Sequence, residues 1–340
     1  MICRNFGDLA PCLYTFKMSE SEQSYSLVIL SKVDPERELP ADIFLKIDQK
    51  YIRFRGCGDI IGAEKFDDFM HHGLEGIFVK DDDIMTFLDW VTFVQNEEVE
   101  ALVAEVGEET KEIAIGVAKV KQKVYESFFE QELSDEVVEQ LQDQVADFVS
   151  TIKKQPFSQQ TIAALTKKNA TIADHSVNVA NISVYLAMVM GQSHQYVLEN
   201  VYLGAILHDL GKAKSGLTES GVGDMRFSSQ AMQNHPELSV QVMRKSKGVP
   251  DPVYKIILQH HEQWNGYGYP AGLEGEAIYE MAQIVSIANF FDNILFENRD
   301  KPRDEAWDIA LKRVDHDKER FWAPKFFPRV LQALTKAKPT

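Results

Sequence analysis

From about residue 156 to residue 340, apolar residues recur along one face at helical spacing. The runs at 179–190, 201–208, 253–261 and 284–295 all share this period. A period near 3.6 suits no half-buried strand, whose side chains alternate every second residue. The second half is therefore expected to be nearly all helix. Two of the runs stop on histidine, so ionisable side chains arrive where apolar helices end.

The first half reads differently. Residues 26–30 are a short apolar run. Residues 41–55 (ADIFLKIDQKYIRFR) alternate apolar and polar on either side of Asp48-Gln49, which predicts two strands and a turn. A short helix is expected over 63–72 with Gly73 as its cap, then a strand over 76–80. Gly56-Cys57-Gly58 reads as a turn, and no nucleotide-binding glycine motif is present. His71 and His72 diverge by about 100° on a helix and read as surface residues rather than joint ligands. Between the halves, residues 96–155 hold no proline. Val99, Leu102, Val103 and Val106 have helical spacing, as do Val137, Leu141, Val145 and Phe148. Ser134 ahead of the second group marks a helix start. This predicts two linking helices, packed against their own domain or forming a dimeric coiled coil. The expected organisation is an α/β regulatory or interaction domain over 1–95, a helical linker over 96–155 and an all-helical domain over 156–340, making a mainly α protein.

The formal net charge of -16 argues against general binding to DNA or to an anionic membrane surface. No apolar run approaches the length of a membrane span, and the N-terminus lacks the pattern of a secretory leader. Cys3, Cys12 and Cys57 fit no zinc motif and read as free thiols of a reducing compartment, so a cytoplasmic location is expected.

Five of the nine histidines carry the chemistry: His175, His208, His235, His260 and His261. His208 is followed at once by Asp209 in LHDLGK. A carboxylate at the end of an apolar helix needs a partner, and a metal would satisfy both side chains. Gly211 suits a backbone turn there. Imidazole with carboxylate suits iron, manganese or zinc. His260-His261 open HHEQWNGYGYP, in which Gly266, Gly268 and Pro270 break the helix and shape a loop directly after two potential ligands.

HDLGK at 208–212 and HHEQWNGYGYP at 260–270 resemble the two signatures of the HD-GYP family, a branch of the HD phosphohydrolase superfamily. His175 in HSVNVA, His235 in NHPELS and the segment IANFFDNIL at 287–295 follow in the family's order. The resemblance covers roughly residues 160–335. It implies an HD-type helical domain that hydrolyses cyclic di-GMP to pGpG or GMP using two divalent metals, with iron expected and manganese or zinc as alternatives. It also implies the ligands. His175, His208 and Asp209 would hold the first metal, with Asp209 bridging to a second held by His235, His260 and His261. Lys212 would face the scissile phosphate, and Tyr269 would shape the rim as a structural residue. Diguanylate cyclase (GGDEF) proteins, docking through the GYP loop, are the implied partners. A homodimer through the linker is the other expected association.

The sequence departs from the family pattern in three places. Where the family has a metal-binding acid, this chain has Asn289, whose neutral amide oxygen can still bind the first metal, while Asp292 one turn later can act through water or take over as ligand. The family's Arg-Pro-Tyr run is replaced by a stretch in which Arg299 and Lys301 are the available cations. Thr171 stands where some members carry the glutamate of a third metal, so two metals are expected. Asp174 is expected to point away from the site. A member with these changes can also act as a receptor or adaptor that binds without cutting, or take another nucleotide.

Overall fold

The computed structural model describes residues 24–30, 33–47, 50–71, 74, 76–129, 133–155, 158–166, 172–215 and 230–339. The chain divides into two compact units, residues 1–62 with 74–94, and residues 63–73 with 95–340.

The first unit is built on a four-stranded antiparallel sheet of β1 (Tyr25–Ile29), β2 (Ile43–Ile47), β3 (Lys50–Arg55) and β4 (Gly76–Lys80), in the order β1-β4-β2-β3. The alternating stretch at 41–55 gives the β2–β3 pair, as expected; its turn residues lie outside the described residues. Period two sorts the side chains. Ile43, Ile77 and Val79 are fully buried, while Tyr25, Phe44, Tyr51 and Phe78 cluster with one another, Tyr25 stacking on Tyr51 at 4.1 Å. The helix expected at 63–72 is α1 (Ala63–His71), which clusters with the second unit. The side chains of His71 and His72, the Gly73 cap, Cys3 and Cys12 lie outside the described residues.

A helix α2 (Ile84–Val106) begins in the residues of the first unit and ends in those of the second. The linker region holds three helical pieces, not the two expected. The chain breaks at Gly107, so the end of α2 is followed by α3 (Lys111–Phe129) and then α4 (Asp135–Lys154). Ser134 caps α4, its hydroxyl oxygen accepting from Val137 N at 3.3 Å. The stripe Val137, Leu141, Val145 and Phe148 is buried within this unit, and the Phe148 ring lies 4.9 Å from that of Tyr202. That leaves none of the α4 stripe for a partner helix.

The remainder is helical: α5 (Gln159–Leu165), α6 (Ile172–Val189), α7 (Gln195–Leu207), α8 (Leu210–Ser215), α9 (Gln230–Met243), α10 (Asp251–Gln259), α11 (Glu280–Glu297), α12 (Arg303–Phe321) and α13 (Phe327–Lys336). The four apolar runs read from the sequence fall on α6, α7, α10 and α11. Every residue of α6 from Ile172 to Ala187 is buried, which makes it the central helix, since only a helix surrounded on all sides is apolar all round. Helices α3, α5, α7, α11 and α13 pack against it. Among the described residues, no helix is long and apolar enough to cross a membrane.

Candidate metal centre

The five histidines and Asp209 come together from α6, the α7–α8 junction, α9 and the end of α10. They form two groups, His175 with His208 and Asp209, and His235 with His260 and His261. Within each group the candidate ligand atoms lie within 4.8 Å of one another.

Helix ends set the rings. The last carbonyls of a helix have no intrahelical partner. His208 and His260 each follow the last residue of their helix, and each turns Nδ1 back onto the carbonyl three residues earlier. His208 Nδ1 donates to Ala205 O at 2.6 Å, and His260 Nδ1 donates to Ile257 O at 2.7 Å. A carbonyl only accepts, so Nδ1 carries the proton and a neutral ring keeps its lone pair on Nε2. His175 has the same arrangement from a different source. Its Nδ1 lies 2.8 Å from Asp292 Oδ2, and Asp292 Oδ1 accepts from Asn178 Nδ2 at 3.2 Å.

Asp209 is 1% exposed and stands between the groups. Its Oδ2 lies 3.3 Å from His208 Nε2 and 3.7 Å from His175 Nε2, while its Oδ1 lies 3.1 Å from His235 Nε2 and 4.0 Å from His260 Nε2. Lys212 Nζ donates to Oδ2 at 2.7 Å. Burial alone would raise the Asp209 carboxyl, but its interactions with His208, Lys212 and His235 outweigh it and hold it well below the usual carboxylate range. Burial, followed by the neighbouring histidines, pushes His260 and His261 far below the ordinary imidazole range. They stay neutral, the form that binds metal.

The donor set fits divalent ions. His208 Nε2, Asp209 Oδ1 and His261 Nε2 are buried without a hydrogen-bond partner. The Nε2 atoms of His235 and His260 face each other at 3.2 Å. Orphaned polar atoms in a dry interior are costly. A cation in each group would satisfy them, and Asp209 has one oxygen towards each group. Imidazole and carboxylate are donors for iron, manganese or zinc.

Two glycines allow the close packing. Gly211 lies within α8, not in the turn expected of it. A Cβ there would stand 2.3 Å from His235 O, so its role is the approach of α8 to α9. Ser239, which the sequence reading missed, joins the same elements. Its hydroxyl accepts from Gly211 N at 2.7 Å and lies 2.8 Å from His235 O and 3.1 Å from His208 O. A Cβ on Gly268 would meet Glu262 Cα and Gln263 N at 2.4 Å. Without one, the loop lies flat on the backbone that follows the ligand pair, and the Tyr269 ring stacks on His261 at 4.6 Å. Glu262, also missed, is 1% exposed and accepts from Ala271 N and Leu273 N at 2.8 and 2.9 Å, drawing the loop closed.

The departures from the family pattern find definite places. Asn289 is buried, and its Oδ1 accepts from Asn293 Nδ2 at 3.0 Å. Asp292 stands behind His175, its Oδ2 on the ring's Nδ1. Arg299 is exposed and stacked over Phe296 at 4.1 Å, and Lys301 pairs with Glu305 at 3.5 Å. The cation nearer the centre is Arg303, which donates to Thr166 Oγ1 at 3.1 Å. Burial pushes its guanidinium down to about 10 against the opposing pull of Glu105 and Asp292. A cation in the first turn of a helix runs against the helix dipole, and that was the available signal. Thr171 lies outside the described residues.

Residues 172–294 match the family described as HD domain. The chain is 25% identical over 237 residues to the cyclic di-GMP phosphodiesterase PA4108 of Pseudomonas aeruginosa, covering 68% of this chain and 55% of that protein. It is 32% identical over 172 residues to the cyclic di-GMP phosphodiesterase response regulator RpfG of Xanthomonas campestris pv. campestris, covering 47% and 42%. The chain thus spans about half the length of the curated relatives it matches. Among solved structures, Bd1817, described as a HDG"Y"P protein from Bdellovibrio bacteriovorus, superposes with a TM-score of 0.62 at 22% identity, covering 92% of this chain and all of that one. At that identity the likeness is one of fold. The HD match runs across α6 to α11, which carry all five histidines and the GYP loop, so residues 172–294 are similar to an HD domain.

Proposed function

We propose that the chain is a metal-dependent phosphodiesterase whose substrate is cyclic di-GMP, opened to pGpG or GMP at a centre of two divalent ions. The observation that carries this reading is the Asp209 carboxylate, buried with one oxygen towards each group of histidines. The names of the relatives point to the substrate. When bound, the ions supply water activation near neutral pH and neutralise charge on the phosphodiester. His175, His208 and Asp209 would hold one ion, and Asp209 with His235, His260 and His261 would hold the other. Lys212, tied to Asp209 Oδ2 and only 5% exposed, brings a fixed positive charge to the edge of the centre, where it stabilises charge developing on phosphate oxygens. Tyr269 holds the His261 ring in place, and Asp292 holds that of His175. Iron is the metal expected to support turnover, with manganese and zinc as alternatives; diguanylate cyclases remain the proposed partners of the exposed GYP loop.

A second reading has its own observation. Asn289 spends its oxygen on Asn293, Arg299 lies on Phe296 and Lys301 on Glu305. The same fold then serves as a receptor that binds a cyclic dinucleotide without cutting it. Protein purified without oxygen, assayed for metal content and then for linear products from cyclic di-GMP, separates the two. Two ions per chain with product formation, lost in Lys212→Ala at unchanged metal content, support the phosphodiesterase. Two ions with nucleotide retained uncut support the receptor. Fewer than two ions per chain, or full metal content in Asp209→Ala, overturns the ligand assignment.

A further inference from the structure

The carboxylate immediately before the first histidine ligand takes no part in the centre, yet it is buried and charged. Asp174 sits in the first turn of α6 with 2% of its side chain exposed, and Lys121 of α3 reaches its Oδ1 at 2.6 Å. The same ammonium lies 3.6 Å from Glu98 on α2. One turn along the same face of α6, Asn178 donates to Asp292, the carboxylate that fixes the Nδ1 of His175. Among the described residues, the stretch of α6 carrying His175 has polar ties both to α3 and to α11.

Packing at this level is thin. The side of α3 facing α6 presents Ala114, Val117 and Ala118 before Lys121. With Leu102 and Ala164 these leave a cavity of about 190 Å³, bordered by Asp174 and Asn178. Small side chains fill little space there, and the ion pair supplies a specific contact between α3 and the first turn of α6. A charge pair removed from water is a weak source of stability, but it fixes register between the elements that carry it.

We propose that the Lys121–Asp174 pair is a positioning device for His175. Through this pair the placement of α3 bears on His175, and so on the first metal group rather than the second. Lys121 and Asp174 are positioning residues that act through the α6 backbone. The inference rests on reading the histidine cluster as a metal centre, and the test keeps the two claims apart.

Lys121→Met alone takes this cation from a buried carboxylate, so the decisive variant is Lys121→Met with Asp174→Asn, which removes both charges. Lys121→Arg is the conservative control. In the full chain with isotope-labelled histidine and no metal, the His175 Nδ1 resonance is expected to move in the double variant and to stay in place in Lys121→Arg. In a Mn(II) titration, one of two binding steps should weaken about tenfold, the size expected for the loss of a ligand's supporting contacts. The other step should be unchanged, and Lys121→Arg should bind as the parent. A folded double variant with an unmoved resonance overturns the proposal, as do two steps that weaken in equal measure. A parent chain that takes up no Mn(II) refutes the metal centre, and the metal-free resonance alone then decides the role of the pair.

Discussion

The centre depends on which nitrogen of each ring carries a proton. His208 and His260 take that instruction from a helix-end carbonyl, and His175 takes it from Asp292. A carboxylate behind a ligand ring fixes its orientation and raises its basicity. Asp292→Asn keeps the size of the side chain but removes the charge, and its amide nitrogen can no longer accept from Nδ1. The affinity of the first metal group should fall about 10–100-fold while the second keeps its affinity, as measured by chelator competition. Equal loss in both groups would mean that Asp292 supports the fold and not His175. Much of this scale was legible in the sequence. His208-Asp209 and His260-His261 stand out because histidines end apolar runs. Asp292 was read as a reacting group or ligand because the chain shows an acid near the expected place but not the rotation that sets it behind a ring. Ser239 and Glu262 left no trace, because a serine or glutamate in a helical or turn segment is ordinary until its partners are known.

At the scale of elements, the loop after α10 is a lid on the ligand pair. Glu262 collects amides of 271–273, Gly268 rests on the backbone of 262–263, and Tyr269 stacks on His261. The added methyl of Gly268→Ala meets backbone rather than a yielding side chain, so the loop must lift and take Tyr269 with it. Forcing an extra carbon into such a contact typically costs about 1–3 kcal/mol. The expected signature is weaker metal binding in the second group with the first group unchanged, read from the two steps of a metal titration. Wild-type binding in both steps would show that the loop yields without moving His261. The glycines and the proline announced a shaped loop, and helical periodicity announced α6, α7, α10 and α11. The break at Gly107 was also written in the chain, but the apolar spacing on either side masked it and turned three helical pieces into two. Gly211 was misread for a related reason. A glycine after a helix-ending histidine suggests a turn, whereas the close approach that requires it involves α9, more than twenty residues later.

Across the second unit, the five histidines and Asp209 come from helices that the chain visits between residues 175 and 261, so the centre is a cross-link as well as a chemical site. Without ions it buries His208 Nε2, Asp209 Oδ1 and His261 Nε2 unsatisfied, each at a cost of about 1–3 kcal/mol. Ions that bind the assembled groups and not the unfolded chain shift the equilibrium by mass action. One ion at a hundred times its Kd contributes about 2.7 kcal/mol. For a unit of this size, that corresponds to about 2–4 °C in midpoint per kcal/mol, or a rise of about 5–10 °C. Because Asp209 directs an oxygen to each group, Asp209→Ala should lose the rise from both ions. His175→Ala, confined to one group, should keep part of it. Thermal melts followed by helical circular dichroism, with Mn(II) and with chelator, measure this directly. If His175→Ala and Asp209→Ala lose the same amount, the two groups fill as one cooperative unit. If neither loses any, the ions that stabilise the chain sit elsewhere and the histidine cluster is not their site.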